Sequence, residues 1–418
     1  MEQSRYLIIG SGPAGLAAVQ AIRTEDKAAT ITLVTRENAL PYSPTVLPYL
    51  ISGELKEEDL FLKGKAILKA MNAQILLGKE VAEILHLSNE VRCTDGERIG
   101  YDKLLISTGA SPQMPSIDHA PTEHVHTLRT CADFARLSKA LAESKHIAIY
   151  GAGLVAVEAA EKLCRAGHSV TIIARSSLLR KYFSPKSVTA LESAFAGNGC
   201  RIVTHNTLVS VVRNAGKLKL TLSNSDKLTA DELIVATGVA ANGVTNSSFE
   251  KTGDNLRVGR HMETSVPNIY AAGDVAASPS FFEGEHASCA ILPEAVAQGR
   301  VAGTNMAGGN MEYRGWIRCN YLRCFEDTLF SMGITDIGSG PACSVLEQSD
   351  GNSFLRLLLR DERIVGAEGM NMTALHPGIF LSLIRDRVAV SGQRNLLLSK
   401  PREASSWLMQ RQRSAQTV

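Results

Sequence analysis

Two short apolar runs, each closed by a glycine-rich turn and followed by a helical pattern, set out the main divisions of the chain. Arg5-Tyr-Leu-Ile-Ile9 is short enough for a buried parallel strand, and Gly10-Ser-Gly-Pro-Ala-Gly15 leads from it into LAAVQAIR, whose apolar positions recur at helical spacing. The pattern returns further on. Lys145-His-Ile-Ala-Ile-Tyr150 is a second apolar run, and Gly151-Ala-Gly-Leu-Val-Ala156 opens a second helix that carries Glu158. Tyr101–Pro112 and Asp231–Val239 each read as a strand ending in Thr-Gly, and they bracket the second turn as paired crossovers. Ser265-Val-Pro-Asn-Ile-Tyr-Ala-Ala-Gly-Asp-Val275 places Asp274 directly after another strand, with a helix-forming run from Ala295.

The expected fold is therefore α/β, with two Rossmann-like dinucleotide-binding domains. The first domain is expected to be discontinuous, over residues 1–112 and 233–311, with the second over 113–232.

The spacing G-x-G-x-x-G between a strand and a helix has a physical use. Gly10 permits the tight turn, Gly12 lets a pyrophosphate approach the backbone, and Gly15 lets helix and strand pack closely, so that the diphosphate meets the positive end of a helix. Pro13 and Ala14 complete this turn. Gly151, Gly153, Leu154 and Val155 form its second copy, with Ala156 in the third glycine's place. Two dinucleotide sites in one chain point to electrons passing between the bound groups.

Composition narrows the picture without changing it. The chain has 418 residues, 44% hydrophobic and 21% charged, which is ordinary globular usage with room for two or three domains. No run approaches the roughly 18 apolar residues of a membrane span, and no cleavable leader is evident, so the protein is expected to be cytoplasmic. A net charge of +2 argues for neither nucleic acid nor a membrane surface.

Taken in order, GSGPAG, LISTGASP, GAGLVAVEAAE, ATGV, and SVPNIYAAGDVA followed by AVAQGRVAG resemble the pyridine nucleotide-disulfide oxidoreductase superfamily over nearly the whole chain. The resemblance implies FAD on Gly10, Gly12, Gly15 and Asp274, with Thr108, Gly109, Gly238 and Gly273 in the two Thr-Gly turns and the Gly-Asp pair beside it. It implies NAD(P)H on the second turn and a C-terminal α+β interface domain over 312–418. Gln298 and Gly299 are expected to begin a helix whose N-terminus faces the flavin, where its dipole favours negative charge. Glu158 is the candidate for orienting the nicotinamide, against the plainer reading of a surface helix glutamate.

In the branch of this superfamily that holds the coenzyme A-disulfide reductases and NADH peroxidases, the resemblance implies a single redox cysteine near the flavin in a segment ending C-G-L-P-Y. Here PYSPTVLPY puts Thr45 at that position, and a hydroxyl forms neither a disulfide nor a sulfenic acid. Cys93, Cys131, Cys164, Cys200, Cys289, Cys319, Cys324 and Cys343 include no C-x-x-C pair, and Cys319 with Cys324 is at most half an iron-sulfur motif, so no metal site is expected. The flavin must then hand its electrons to something outside this chain, or take them from it. The runs LPYSPTVLPY and Ile291–Gly303 resemble the flavoprotein subunits of phenylglyoxylate dehydrogenase and similar 2-oxoacid:acceptor oxidoreductase complexes. That resemblance implies an iron-sulfur, ferredoxin-like protein or a subunit of a larger complex as partner.

The second strand of each nucleotide unit speaks to the ribose. NAD enzymes place an acid there for the 2′-hydroxyl. In the first unit the acid is shifted to Glu37, behind Thr35 and Arg36. In the second, Ala174 stands at the acid's place and Arg175, Ser176 and Ser177 follow, a set suited to a 2′-phosphate through charge-assisted hydrogen bonds. NADP is expected ahead of NAD, with a solvated Arg175 as the plain alternative.

Beyond residue 312 the chain turns aromatic and basic, and from Arg385 it holds seven Lys or Arg against two acids. This is either a solvated tail or a face that steers an acidic partner. The domain also supplies the homodimer interface in cysteine-dependent relatives, so a homodimer is an alternative. Three classes remain open at this point: an electron-transfer subunit joining NAD(P)(H), FAD and an iron-sulfur partner; a stand-alone NAD(P)H oxidase or ferredoxin/rubredoxin-type reductase; and a non-catalytic, nucleotide-sensing flavoprotein.

Overall fold

A computed structural model describes residues 2–243, 247–282, 284–335, 343–372 and 376–416. The last two residues of the basic C-terminal stretch lie outside this range. The chain forms two compact units, 1–115 with 127–139 and 237–317, and 116–126 with 140–236 and 318–418.

The first unit is built on a parallel core of strands Gln74–Leu76, Ile31–Val34, Glu2–Ile9, Arg98–Ile106 and Ile269–Ala271, in that spatial order. The hairpin Val81–Leu85 and Glu90–Cys93 pairs antiparallel along the first half of Arg98–Ile106. Strands buried on both faces read as continuous apolar runs, and Ile31–Val34 is buried at all four positions. Helix Pro13–Glu25 covers the sheet, starting on Gly12 with Pro13 at its first turn, where a missing N–H costs nothing. Helix Leu292–Met306 lies against it. The approach is close because a Cβ on Gly299 would fall 2.1 Å from the Ala14 carbonyl oxygen, and one on Gly303 would fall 2.5 Å from that of Ala18.

The two Thr-Gly crossovers also belong to this unit. After them, Ala110–Pro112 and Val239–Ala241 pair antiparallel with one another, Ala110 opposite Ala241 and Pro112 opposite Val239.

In the second unit a parallel sheet runs in the order Arg201–Val203, Ser169–Ile173, His146–Tyr150, Glu232–Val235, Val125–His126. The strand Glu232–Val235, most of which was expected to lie with the first domain from residue 233, is thus a strand of this sheet. It is buried at all four positions, as suits a strand with a parallel neighbour on each side. The segment 127–139, expected here, folds with the first unit instead. A three-stranded antiparallel sheet, Leu208–Asn214, Lys217–Leu222 and Lys227–Ala230, packs its apolar face into the core around Ala148, Ile173 and Val235.

The C-terminal part of this unit is α+β. Its five-stranded antiparallel sheet runs Cys319–Cys324, Asp327–Gly333, Arg363–Met370, Ser353–Arg360, Ser344–Asp350, with helices Gly378–Arg385, Arg394–Ser399 and Pro401–Gln416. Cys319 and Cys324 are five apart on one strand and so face opposite sides of the sheet, which rules them out as neighbouring ligands. Among the described residues no helix is long and apolar enough to cross a membrane.

Candidate active site

A cleft of about 660 Å³ opens in the first unit along the C-terminal ends of its parallel strands, within the size range of ligand pockets. Of the residues singled out by the sequence, Gly10, Gly12, Pro13, Ala14, Glu37, Thr108, Gly109, Gly273 and Asp274 line it.

The glycine turn has the form that a diphosphate needs. Gly10 has φ +104°, and a Cβ there would meet the Ser107 carbonyl oxygen at 2.2 Å. Its N–H donates to the Val34 oxygen at 2.8 Å, and the Ser107 hydroxyl donates to the Ile9 and Gly10 oxygens at 2.9 and 3.1 Å. Gly12, which caps helix Pro13–Glu25, has open space where a Cβ would be. Gly15 does not line the cleft. It lies under the turn, where a Cβ would strike the Gly10 oxygen at 2.2 Å, so it shapes the turn without facing a ligand. The backbone N–H groups of the helix's first turn therefore face the cleft without side chains in the way.

Glu37 accepts a hydrogen bond of 2.6 Å from the Tyr42 hydroxyl, which itself accepts from the Cys131 N–H at 2.9 Å. Burial, with Glu37 next, pushes the Tyr42 phenol far up, so it keeps its proton and donates it. Thr108 Oγ1 is spent on the Asn242 carbonyl at 2.7 Å. Thr45 is exposed on the cleft wall, its Oγ1 2.8 Å from Ser43 Oγ.

Asp274 also lines the cleft, paired with Arg129 at 2.8 Å. Its carbonyl oxygen accepts from Asn255 at 2.7 Å and Ser288 at 3.0 Å, which fixes the turn that carries it. Arg129 was missed by sequence reasoning. It comes from the segment that returns to the first unit, and no local pattern marks it.

Two expectations are corrected. Gln298 does not begin a helix; the helix starts at Leu292 and Gln298 is one turn and a half inside it, 1% exposed. Pro293, favoured in a first turn, is the reason and was the available signal. Gln298 instead accepts from the Gly273 N–H at 2.8 Å and donates to Ser278 Oγ at 3.0 Å, supporting the Gly-Asp turn from behind. The cleft is met by the helix start itself, Ile291, Leu292 and Ala295. Gly238 is exposed and is not among the lining residues.

The second unit repeats the turn. Gly151 has φ +153°, and a Cβ there would meet the Ala236 oxygen at 2.2 Å; Gly153, which caps helix Leu154–Arg165, has open space. Leu154 is half-buried, while Val155, 45% exposed, leaves an apolar side chain on the surface at the helix's first turn. Arg175 is exposed just past strand Ser169–Ile173. Glu158 is half-buried on the helix, and burial pushes its carboxyl up to about 7, with Lys162 pulling the other way.

This pair of turns is matched by the family model described as pyridine nucleotide-disulphide oxidoreductase, which covers residues 4–299, and the chain belongs to that family. It is an NAD(P)H-dependent oxidoreductase with FAD and a nicotinamide dinucleotide as its cofactors. The chain is 37% identical over 407 residues to the NADH-dependent phenylglyoxylate dehydrogenase subunit epsilon of Aromatoleum evansii, with 96% of each chain covered. In fold it is similar to an NAD-dependent persulfide reductase from A. fulgidus, with TM-score 0.87 and 24% identity over 94% of this chain and 79% of that one. It is also similar in fold to an engineered water-forming NADPH oxidase bound to NADPH, with TM-score 0.85 and 22% identity over 92% of each chain.

The first cleft fits FAD on its own geometry: a side-chain-free helix start beside Gly12, a strand-end acid at Glu37, and a second acid at Asp274.

Proposed function

We propose that this chain is the flavoprotein subunit of a 2-oxoacid:acceptor oxidoreductase complex, passing electrons between a nicotinamide and an iron-sulfur protein or subunit without a redox-active cysteine. The observation that carries the reading is Thr45. A hydroxyl stands on the cleft wall, and among the described residues no cysteine lines the cleft. Similarity over nearly its full length to a dehydrogenase subunit supports the same role.

FAD, when bound, exchanges electrons singly or as a pair, which suits a junction between a cluster and a nicotinamide. The chain's residues bind and orient. Gly10 and Gly12 hold the diphosphate at the start of helix Pro13–Glu25, Glu37 takes the ribose, and Asp274, kept in place by Arg129, holds the other end. In the second unit Gly151, Gly153, Leu154 and Val155 hold the nicotinamide dinucleotide, and Glu158 orients it.

The nicotinamide is NADPH in this reading. The engineered NADPH oxidase carries substitutions to alanine, alanine, arginine, serine and arginine at positions separated by 18, 1, 1 and 5 residues. Ala156, Ala174, Arg175, Ser176 and Lys181 stand at those same separations here, with a lysine as the last cation. This departs from the NADH of the phenylglyoxylate relative.

The test is anaerobic stopped-flow reduction of the flavin by NADPH and by NADH, followed by oxidised ferredoxin, with Thr45→Ser alongside. Faster bleaching by NADPH, transfer to ferredoxin, and an unchanged rate in Thr45→Ser are expected. Rapid reoxidation by oxygen alone with none by ferredoxin would make the protein an oxidase, and loss of reduction in Thr45→Ser would overturn the passive role of that residue.

A further inference from the structure

Glu294 has no part in the reading above, yet it is among the most deeply buried acids of the first unit, 2% exposed. It lies in the first turn of helix Leu292–Met306, and its neighbours Ile291, Leu292 and Ala295 all line the cleft. One carboxyl oxygen accepts a short hydrogen bond from the Tyr313 hydroxyl, and the other accepts from the Ile317 N–H at 3.3 Å. Both carboxyl oxygens of Glu294 are thereby held in place at the start of the helix. Tyr313 is itself 3% exposed, and burial, with Glu294 next, pushes its phenol far up, so it remains the donor.

The same network continues to the Gly-Asp turn. Gln298 reaches the Tyr313 hydroxyl at 3.5 Å, donates to Ser278 at 3.0 Å, and accepts from the Gly273 N–H at 2.8 Å, next to Asp274. One buried chain of polar groups therefore links the start of the helix to the Gly-Asp turn. A charge held in this dry layer, directly behind the cleft wall, is screened far less than one in water.

We propose that Glu294 is a positioning residue that acts through charge: it opposes the addition of electrons to FAD in the cleft and so sets the bound flavin at a lower reduction potential. The inference rests on FAD occupying this cleft. A helix N-terminus pointing at a redox group favours its reduced, more negative form. A carboxylate in the first turn cancels part of that effect, and the flavin is kept a stronger reductant, as suits delivery to a low-potential acceptor.

The experiment is the midpoint potential of bound FAD in the full chain, by anaerobic dye equilibration, for the wild type, Glu294→Gln and Glu294→Asp. The FAD content of each preparation is measured first, so a chain that holds no flavin counts against the cofactor site and not against Glu294. Glu294→Gln is expected to raise the reduction equilibrium about tenfold, ~30 mV for a two-electron couple. Glu294→Asp, which keeps the charge, stays nearer the wild type than Gln does. A flavin-loaded Gln variant with the wild-type potential would overturn the proposal, as would Asp and Gln shifting alike. Should Gln fail to hold flavin, the double variant Glu294→Met with Tyr313→Phe removes both partners of their shared bond and leaves the long Ile317 N–H bond without its acceptor. It is expected to show the same positive shift, and no shift there would overturn the proposal equally.

Discussion

The two glycine turns agree at their first two positions and part at the third. In both, the first glycine sits against a backbone oxygen that would be 2.2 Å from a Cβ, and the second faces open space. At the third, Gly15 is crowded by the Gly10 oxygen at 2.2 Å, whereas the second unit carries Ala156, fully buried with its methyl accommodated. The first helix is also approached from behind by Gly299 and Gly303, so backbone contacts fix it on two sides. The strand ends differ as well. Glu37 is held by Tyr42, while Arg175 is exposed. One turn geometry thus serves two purposes: the third residue decides how closely the helix is held, and in the proposed function the strand end decides which ribose it meets.

The largest effect is expected from making the first turn resemble the second. Gly15→Ala drives a methyl into a backbone oxygen, and overpacking of this kind costs about 1–3 kcal/mol. The variant should purify with little flavin, read from the ratio of visible to ultraviolet absorbance; full flavin content would show that the first helix has slack. Next in size is the strand end. Arg175→Ala should lower kcat/KM for NADPH by about 10- to 100-fold, the equivalent of one or two charge-assisted hydrogen bonds, and leave NADH nearly unchanged. An equal loss with both nucleotides would make Arg175 structural.

The smallest effect concerns Glu158, a half-buried acid on the second helix. Because burial raises its folded-state pKa to about 7, its contribution to stability is complete below the ordinary carboxyl range and is lost as pH rises through 7. Glu158→Gln removes that dependence. Its unfolding midpoint should fall less than the wild type's between pH 5 and pH 8, by a few degrees. Parallel midpoints in the two proteins would place Glu158 in water.

Much of this architecture was legible because it depends on local patterns. A strand, a G-x-G turn and a helix lie within about 30 residues, so both nucleotide units announced themselves. Asp274 was marked by its Gly-Asp pair after a strand. What the chain hid was non-local. Arg129 reaches Asp274 across 145 positions of sequence, and nothing near it signals the pairing. The strand Glu232–Val235 was misplaced since its apolar run suits either sheet, and only its parallel neighbours decide between them. The start of the helix at Leu292 was readable from Pro293, but the glycine at 299 drew attention to the wrong turn.

The return of residues 127–139 to the first unit bears on how such a protein can be taken apart. The chain passes from one unit to the other at 115/116, 126/127, 139/140, 236/237 and 317/318. The paired segments at Ala110–Pro112 and Val239–Ala241 look like the ends of a removable cassette. Excising everything between them would also carry off Thr127, Arg129, Thr130 and Asp133, four residues of the cleft's own lining. A recombination event, or a protein engineer, therefore cannot exchange the second nucleotide unit with two cuts and keep the first site whole. That segment has to be stitched back, and the two halves have to be inherited together.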